Sequence, residues 1–174
     1  PFMELPDFSQ GEKKFFSEAD QASQQVVIGF GATQEVGEYA QKLGRHVLLV
    51  TDQGLTEAGH PLRVREYLEK AGLQVTLFDK SIENPTESSV QVCVQVAKSE
   101  KVDLIVGLGG GSSMDTAKGC NFILTNGGRM ADYWGVGKAT RDMLPLIALP
   151  TTAGTGSECQ SFALISEDHT HRKM

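Results

Sequence analysis

Gly109-Gly110-Gly111-Ser112-Ser113 is the segment of this chain best suited to chemistry, and that chemistry is anion binding. The apolar run Val102–Leu108 before it reads as a buried strand. The residues after it, through Lys118, read as the first turns of a helix. A strand–glycine–helix passage leaves unpaired backbone N–H groups at the helix start, where the helix dipole also favours negative charge. A phosphate or pyrophosphate suits that place. Glycines let a ligand approach the backbone because no Cβ intervenes. Ser112 and Ser113 are expected to cap the helix and to donate to phosphate oxygens. Asp115, three residues after Ser112, has the form of a capping-box partner, although Glu or Gln is usual there. Lys118 reads either as a solvated helix residue or as one facing the same rim.

Other residues offer related chemistry. Gly29-Phe30-Gly31 also follows an apolar run, and Asp52 lies about 21 residues beyond Gly31. That spacing mimics a dinucleotide fingerprint, in which an acid at a strand end binds ribose hydroxyls, but the third glycine is missing. A tight strand–helix turn accounts for the same glycines. Asp52 itself fits two roles: acceptor for a ribose 2′-hydroxyl, repelling a 2′-phosphate, or cap of the turn Asp52-Gln53-Gly54. Thr151, Thr152 and Thr155 put hydroxyls on a Gly-containing loop after a strand. They suit either a ribose or nicotinamide contact or a plain hydroxyl-rich turn. His169-Thr170-His171 sits in a polar turn and lacks the spacing of a metal site. Cys93, Cys120 and Cys159 form no CxxC pair and read as buried or semi-buried thiols. No GxSxG occurs, and no Lys precedes Ser112 as a Walker A loop requires.

These groups need a frame, and the chain supplies an alternating one. Strands are expected at Val26–Ile28, His46–Thr51, Leu73–Phe78, Val102–Leu108 and the apolar run Leu144–Leu149, with a further short strand at Phe162–Ser166. Helices are expected at Ala32–Leu43, Pro61–Ala71 and Glu87–Ser99, and after Gly111. Asn84-Pro85-Thr86 is a turn, and residues 126–142 form a loop or short helical pieces. Residues 1–24 read as an extension, frayed at its start, leading into a strand or hairpin; residues 25–174 read as the nucleotide-binding unit. Strands alternating with helices predict an α/β fold, a doubly wound and mainly parallel sheet. Ligands of such sheets bind beyond the carboxyl ends of the strands. Asp52, Asn84, the glycine turn and Thr151-Thr152 all follow predicted strands, so one rim could hold them.

The chain has 174 residues and a formal net charge of −6. It has no basic run longer than two residues, which argues against nucleic acid or an anionic membrane as partner. No apolar run reaches the ~20 residues of a membrane span, and no signal pattern opens the chain, so a cytoplasmic protein is expected.

Gly109 to Lys118, followed by Pro150-Thr151-Thr152-Ala153-Gly154-Thr155-Gly156-Ser157-Glu158, resembles the iron-containing (group III) alcohol dehydrogenases. Val50-Thr51-Asp52, Asn84-Pro85-Thr86 and Lys173-Met174 fit the same pattern, and the resemblance runs from about residue 15 to 174. It implies a dehydroquinate synthase-like N-terminal domain that binds NAD, with NADP less favoured. It assigns the pyrophosphate to Gly110, Gly111, Ser112 and Ser113, and the adenosine ribose to Asp52 with Asn84 nearby. It places Thr151, Thr152 and Thr155 at the nicotinamide half and Lys173 at its ribose. Gln160 departs from the family, which usually has a small hydroxyl residue there.

The resemblance further implies hydride transfer between a small-molecule alcohol or aldehyde and the cofactor. A divalent metal, iron or zinc, would act as Lewis acid from an all-helical C-terminal domain through one Asp and three His. The chain stops at Met174, before such ligands, and is therefore expected to be a fragment that folds, binds NAD(H) weakly and lacks dehydrogenase activity. Self-association as a homo-oligomer is left open. The alternatives are a glycerol or polyol-phosphate dehydrogenase of the same fold, or a stand-alone nucleotide-binding module.

Overall fold

The computed structural model describes residues 14–16, 25–135, 137–170 and 172–173. The expected frayed start, His171 and Met174 lie outside the described residues. Two short strands, β1 (Lys14–Phe16) and β2 (Val26–Ile28), pair antiparallel, Phe16 opposite Val26. The centre is a separate four-stranded parallel sheet of β3 (His46–Val50), β4 (Gln74–Phe78), β5 (Leu104–Gly109) and β6 (Leu146–Pro150). Its order is β4-β3-β5-β6. The α/β, parallel architecture is therefore as expected. Leu49 lies opposite Leu77 on one side and Val106 on the other.

Strand periodicity divides the core. Leu48, Val50 and Ile105 point into one apolar layer, and Val47, Leu49, Leu104 and Val106 into the other. Helices cover both faces, which is why β5 is buried along its whole length. The first layer is completed by α4 (Glu87–Glu100) through Val90, Cys93 and Val94, and by α5 (Gly111–Asn126) through Ala117, Cys120 and Ile123. The second is completed by α1 (Val36–Ala40) and by α3 (His60–Lys70), whose Val64 and Leu68 repeat at i,i+4. Thr86 caps α4 in a reciprocal arrangement with Ser89.

Several elements differ from expectation. The helix expected over Ala32–Leu43 is a 3-10 turn at Ala32–Glu35 followed by the five-residue α1. A further short helix, α2 (Gln53–Glu57), follows Asp52. Phe162–Ser166 is not a strand: Ser166 alone makes bridges, to Thr86 and to Lys173. Cys93 and Cys120 are buried as expected, but Cys159 is exposed. A hydrogen bond with Cys120, and then burial, push the Cys93 thiol well above its ordinary pKa. Among the described residues no helix is long and apolar enough to cross a membrane.

The strand order creates one special place. β3 has β4 on one side and β5 on the other, so the connections leaving β3 and β5 diverge. A crevice opens beyond the carboxyl ends of these two strands, where α/β sheets bind ligands.

Candidate functional site

Asp52 and Ser113 meet across this crevice. Asp52 lies two residues beyond β3 and caps α2, its Oδ1 accepting the Leu55 N–H at 3.0 Å. Its Oδ2 accepts the Ser113 hydroxyl at 3.2 Å. The cap weighed for Asp52 is thus present, and its carboxylate still reaches the start of α5. Ser113 is buried and its hydroxyl is directed to Asp52. Ser112 is half-buried, and its Oγ accepts the Asn84 N–H at 3.3 Å. Asn84 takes a left-handed backbone, φ 51°.

The expected caps of α5 are corrected. The N-cap is Gly110, and no side chain bonds there. Ser112 and Ser113 lie inside the first turn, so their own N–H groups are among those needing acceptors. Asp115 is no capping partner either. Its Oδ1 accepts the Ser157 hydroxyl at 2.8 Å and lies 3.3 Å from the Lys118 ammonium. Lys118 is neither solvated nor at the rim. It is buried and donates to the carbonyls of Ser157 at 2.9 Å, Gln160 at 3.4 Å and Phe162. Burial lowers its pKa, partly offset by Asp115 and Glu158.

The two sequence motifs touch. A Cβ on Gly110 would stand 3.1 Å from Thr152 Oγ1, and one on Gly111 3.2 Å from Thr155 Cγ2. A Cβ on Gly109, at φ +145°, would meet Ser113 Oγ at 2.6 Å. The space that the glycines leave open is therefore filled first by the protein's own hydroxyl residues. Thr151, exposed, joins the turn through its N–H, which donates to the Gly109 carbonyl at 2.9 Å.

A cleft of about 220 Å³ lies beside this contact, lined in part by Asn84, Gly111, Ser112, Thr155, Gln160 and Lys173. Five of the ten expected site residues thus share one cavity. Asp52, Gly110, Ser113, Thr151 and Thr152 do not line it, and neither does the Gly29–Gly31 turn. Lys173 is delivered by its bridge to Ser166. The returning segment is also tied to α4 by Asp168, which accepts the Ser88 N–H at 3.1 Å and the Ser88 hydroxyl at 2.5 Å. Those Ser88 bonds hold the Asp168 carboxyl below its ordinary pKa. A second cavity of about 270 Å³ lies among α5, β6 and residues 157–161, walled mainly by Met114, Phe122, Met143 and Leu146.

Uncapped helix-start N–H groups, hydroxyls and the Lys173 ammonium could hold a multiply charged anion. That donor set fits a dinucleotide pyrophosphate. Among the described residues no three His, Cys, Asp or Glu side chains gather as metal ligands. Sequence reasoning missed the Asp115–Ser157–Lys118 group. Its available signal was the i,i+3 spacing of Asp115 and Lys118 in a helix with few exposed positions.

The family model described as iron-containing alcohol dehydrogenase matches residues 23–174. The chain is 42% identical over 149 residues to the NAD-dependent methanol dehydrogenase of Bacillus methanolicus, covering 85% of this chain and 39% of that protein. It is 41% identical to alcohol dehydrogenase 4 of Schizosaccharomyces pombe, covering 85% and 35%. It superposes on the crystal structure of a 1,3-propanediol oxidoreductase with a TM-score of 0.79 at 37% identity, over 82% of this chain and 38% of that one. The chain spans less than two fifths of the length of these relatives. With the family model matching residues 23–174 and relatives about two fifths identical over most of the chain, the chain belongs to the iron-containing alcohol dehydrogenase family.

Proposed function

We propose that residues 25–174 form the cofactor-holding unit of an alcohol dehydrogenase that moves hydride between a small-molecule alcohol or aldehyde and NAD. One observation carries this reading: Asn84, the Gly111–Ser112 turn, Thr155 and Lys173, from four separate segments, line a single cleft at the start of α5. The B. methanolicus relative is NAD-dependent by name, which favours the same cofactor here.

When bound, NAD supplies the hydride acceptor or donor; the chain's task is to hold and orient it. The N–H groups of Gly111, Ser112 and Ser113 face the pyrophosphate. Lys173, which lines the same cleft, reaches the nicotinamide ribose and adds positive charge to the site. Asp52, still an acceptor beside the α5 start, takes the adenosine ribose hydroxyls with Asn84 near. A 2′-phosphate there would meet like charge, so NADP binds more weakly. Thr151, Thr152 and Thr155 border the nicotinamide half. A divalent metal, iron or zinc, would supply Lewis-acid polarisation of the alcohol oxygen; the described residues hold no ligand cluster for it. Without those groups the chain binds cofactor and does not oxidise alcohols.

Isothermal titration of the chain with NADH, NADPH and ADP-ribose tests the reading. NADH and ADP-ribose are expected to bind, and NADPH to bind at least about tenfold more weakly, as a like-charge penalty of about 1.4 kcal/mol requires. Binding of none of the three would leave a structural domain only. Measurable alcohol oxidation by the chain alone would overturn the inactivity.

A further inference from the structure

We propose that Lys118 is a positioning residue: with Asp115 it latches the Thr151–Glu158 loop onto α5, and the latch sets the nicotinamide end of the site. The proposal rests on the reading above that the cleft takes a nicotinamide dinucleotide.

Lys118 is 8% exposed. An ammonium has three protons and no acceptor, and these three are matched to three carbonyls of one irregular segment, those of Ser157, Gln160 and Phe162. The Phe162 ring also lies 6.0 Å from Nζ. Ser157, 4% exposed, is gripped twice. Lys118 takes its carbonyl, and Asp115 takes its hydroxyl at 2.8 Å. Thr155, two residues earlier, packs its methyl against Gly111, and Thr152 places its hydroxyl against Gly110. Between them Gly156 turns the chain at φ +65°. The order along the chain is thus glycine contact, turn, latch. Movement of Ser157 therefore carries Thr155 with it.

A charged group is not buried without compensation, and here the compensation consists of loop carbonyls and one carboxylate. A surface lysine could not impose this shape on the loop. Lys118 itself is absent from the cleft lined by Ser112 and Lys173, whereas its partners Asp115 and Ser157 line it. Lys118 borders the apolar cavity on the far side of the 157–161 segment. Its effect on a bound dinucleotide therefore passes through the loop, and falls on the half the loop touches.

Titration with ADP and with NADH separates that half from the rest, because ADP has no nicotinamide riboside. Lys118→Met is expected to weaken NADH by about tenfold or more, since small misplacements of positioning groups have large effects. Its ADP affinity should stay within about twofold of the original, the pyrophosphate donors being backbone groups of α5. Ser157→Ala leaves both charges in place and removes one hydrogen bond. It should weaken NADH about fivefold, again sparing ADP. If Lys118→Met does not fold, Ser157→Ala carries the test through its ADP arm, since Ser157 also lines the cleft and a lost direct contact would weaken ADP as well. Equal weakening of ADP and NADH, or unchanged NADH binding in the variants that fold, overturns the latch alone. Failure of the unaltered chain to bind either ligand removes the dinucleotide reading and the latch with it.

Discussion

The turns at Gly29–Gly31 and at Gly109–Gly111 both leave a strand, both use positive-φ glycine and both lead towards a helix. Their surroundings differ. Gly29 leaves β2, which belongs to the two-stranded antiparallel sheet, and the chain passes into a 3-10 turn and a five-residue helix. Phe30 is 86% exposed, and a Cβ on Gly31 would find only the Gln34 side chain, at 3.5 Å and beyond. Gly109 leaves the buried β5 beside the switch point and feeds the sixteen-residue α5. There Ser113, Thr152 and Thr155 stand against the glycines. The lesson is that a glycine turn becomes a site through what is held opposite it.

The sharpest way to break this contrast is one substitution in each turn. Gly109→Ala adds a Cβ 2.6 Å from Ser113 Oγ at a strained φ. It should destabilise the chain by about 3 kcal/mol in urea denaturation, at the upper end for overpacking. ADP affinity should fall at least about tenfold, because the phosphate-facing helix start is displaced. Gly31→Ala should destabilise by only about 1 kcal/mol, the cost of a left-handed backbone, and leave ADP binding unchanged. Loss of ADP binding in Gly31→Ala with Gly109→Ala unaffected would reverse the assignment.

Asp52 gives the next largest effect. Asp52→Ala removes the α2 cap and the acceptor for Ser113, and should destabilise by about 1–2 kcal/mol. Asp52→Ser keeps a capping oxygen, so its stability should be nearly normal. Its preference for NADH over NADPH should narrow by about tenfold as one charge is lost. An unchanged preference in Asp52→Ser would reduce Asp52 to a cap. Smaller again, Lys173→Ala should weaken ADP about threefold at low salt and remove part of the salt dependence, as expected for an exposed cation. No change with salt in either protein would take Lys173 out of the site.

The smallest effect concerns the tie that returns Lys173 to the cleft. Ser88 holds Asp168 below the ordinary carboxylate range, so the folded-state pKa is depressed. The tie is therefore complete above the usual Asp pKa and is lost as pH falls through the lowered value. Between neutrality and about pH 5, the contribution of Asp168 to ADP affinity should not change with pH. Below that, Asp168→Asn and the unaltered chain should converge, from a difference of less than about twofold. A difference that grows as the pH falls would contradict the assignment.

The chemistry of the rim was legible because its residue types are restrictive. Three consecutive glycines before a helix, and an acid after a buried strand, leave few other roles. Asp52 could be read as cap or as acceptor facing the site, and its two oxygens serve both directions. What stayed hidden depends on partners distant in sequence. Lys118 lies in a helix buried nearly all round from Ser113 to Asn121, where amphipathic spacing carries no information about direction. The apolar run at Phe162–Ser166 has strand composition, but only Ser166 finds a partner, and strand propensity without a partner makes no ladder.

The sheet order also has a kinetic consequence. Every neighbouring pair in β4-β3-β5-β6 is parallel, so each pairing must close a long stretch of chain before any ladder bond forms. The Asp52–Ser113 bond spans 61 residues and exists only after β3 and β5 have docked. High contact order of this kind slows folding. The crevice is accordingly expected to form late in folding. A nucleotide that binds it should leave the refolding rate nearly unchanged and lengthen the lifetime of the native state by slowing its unfolding.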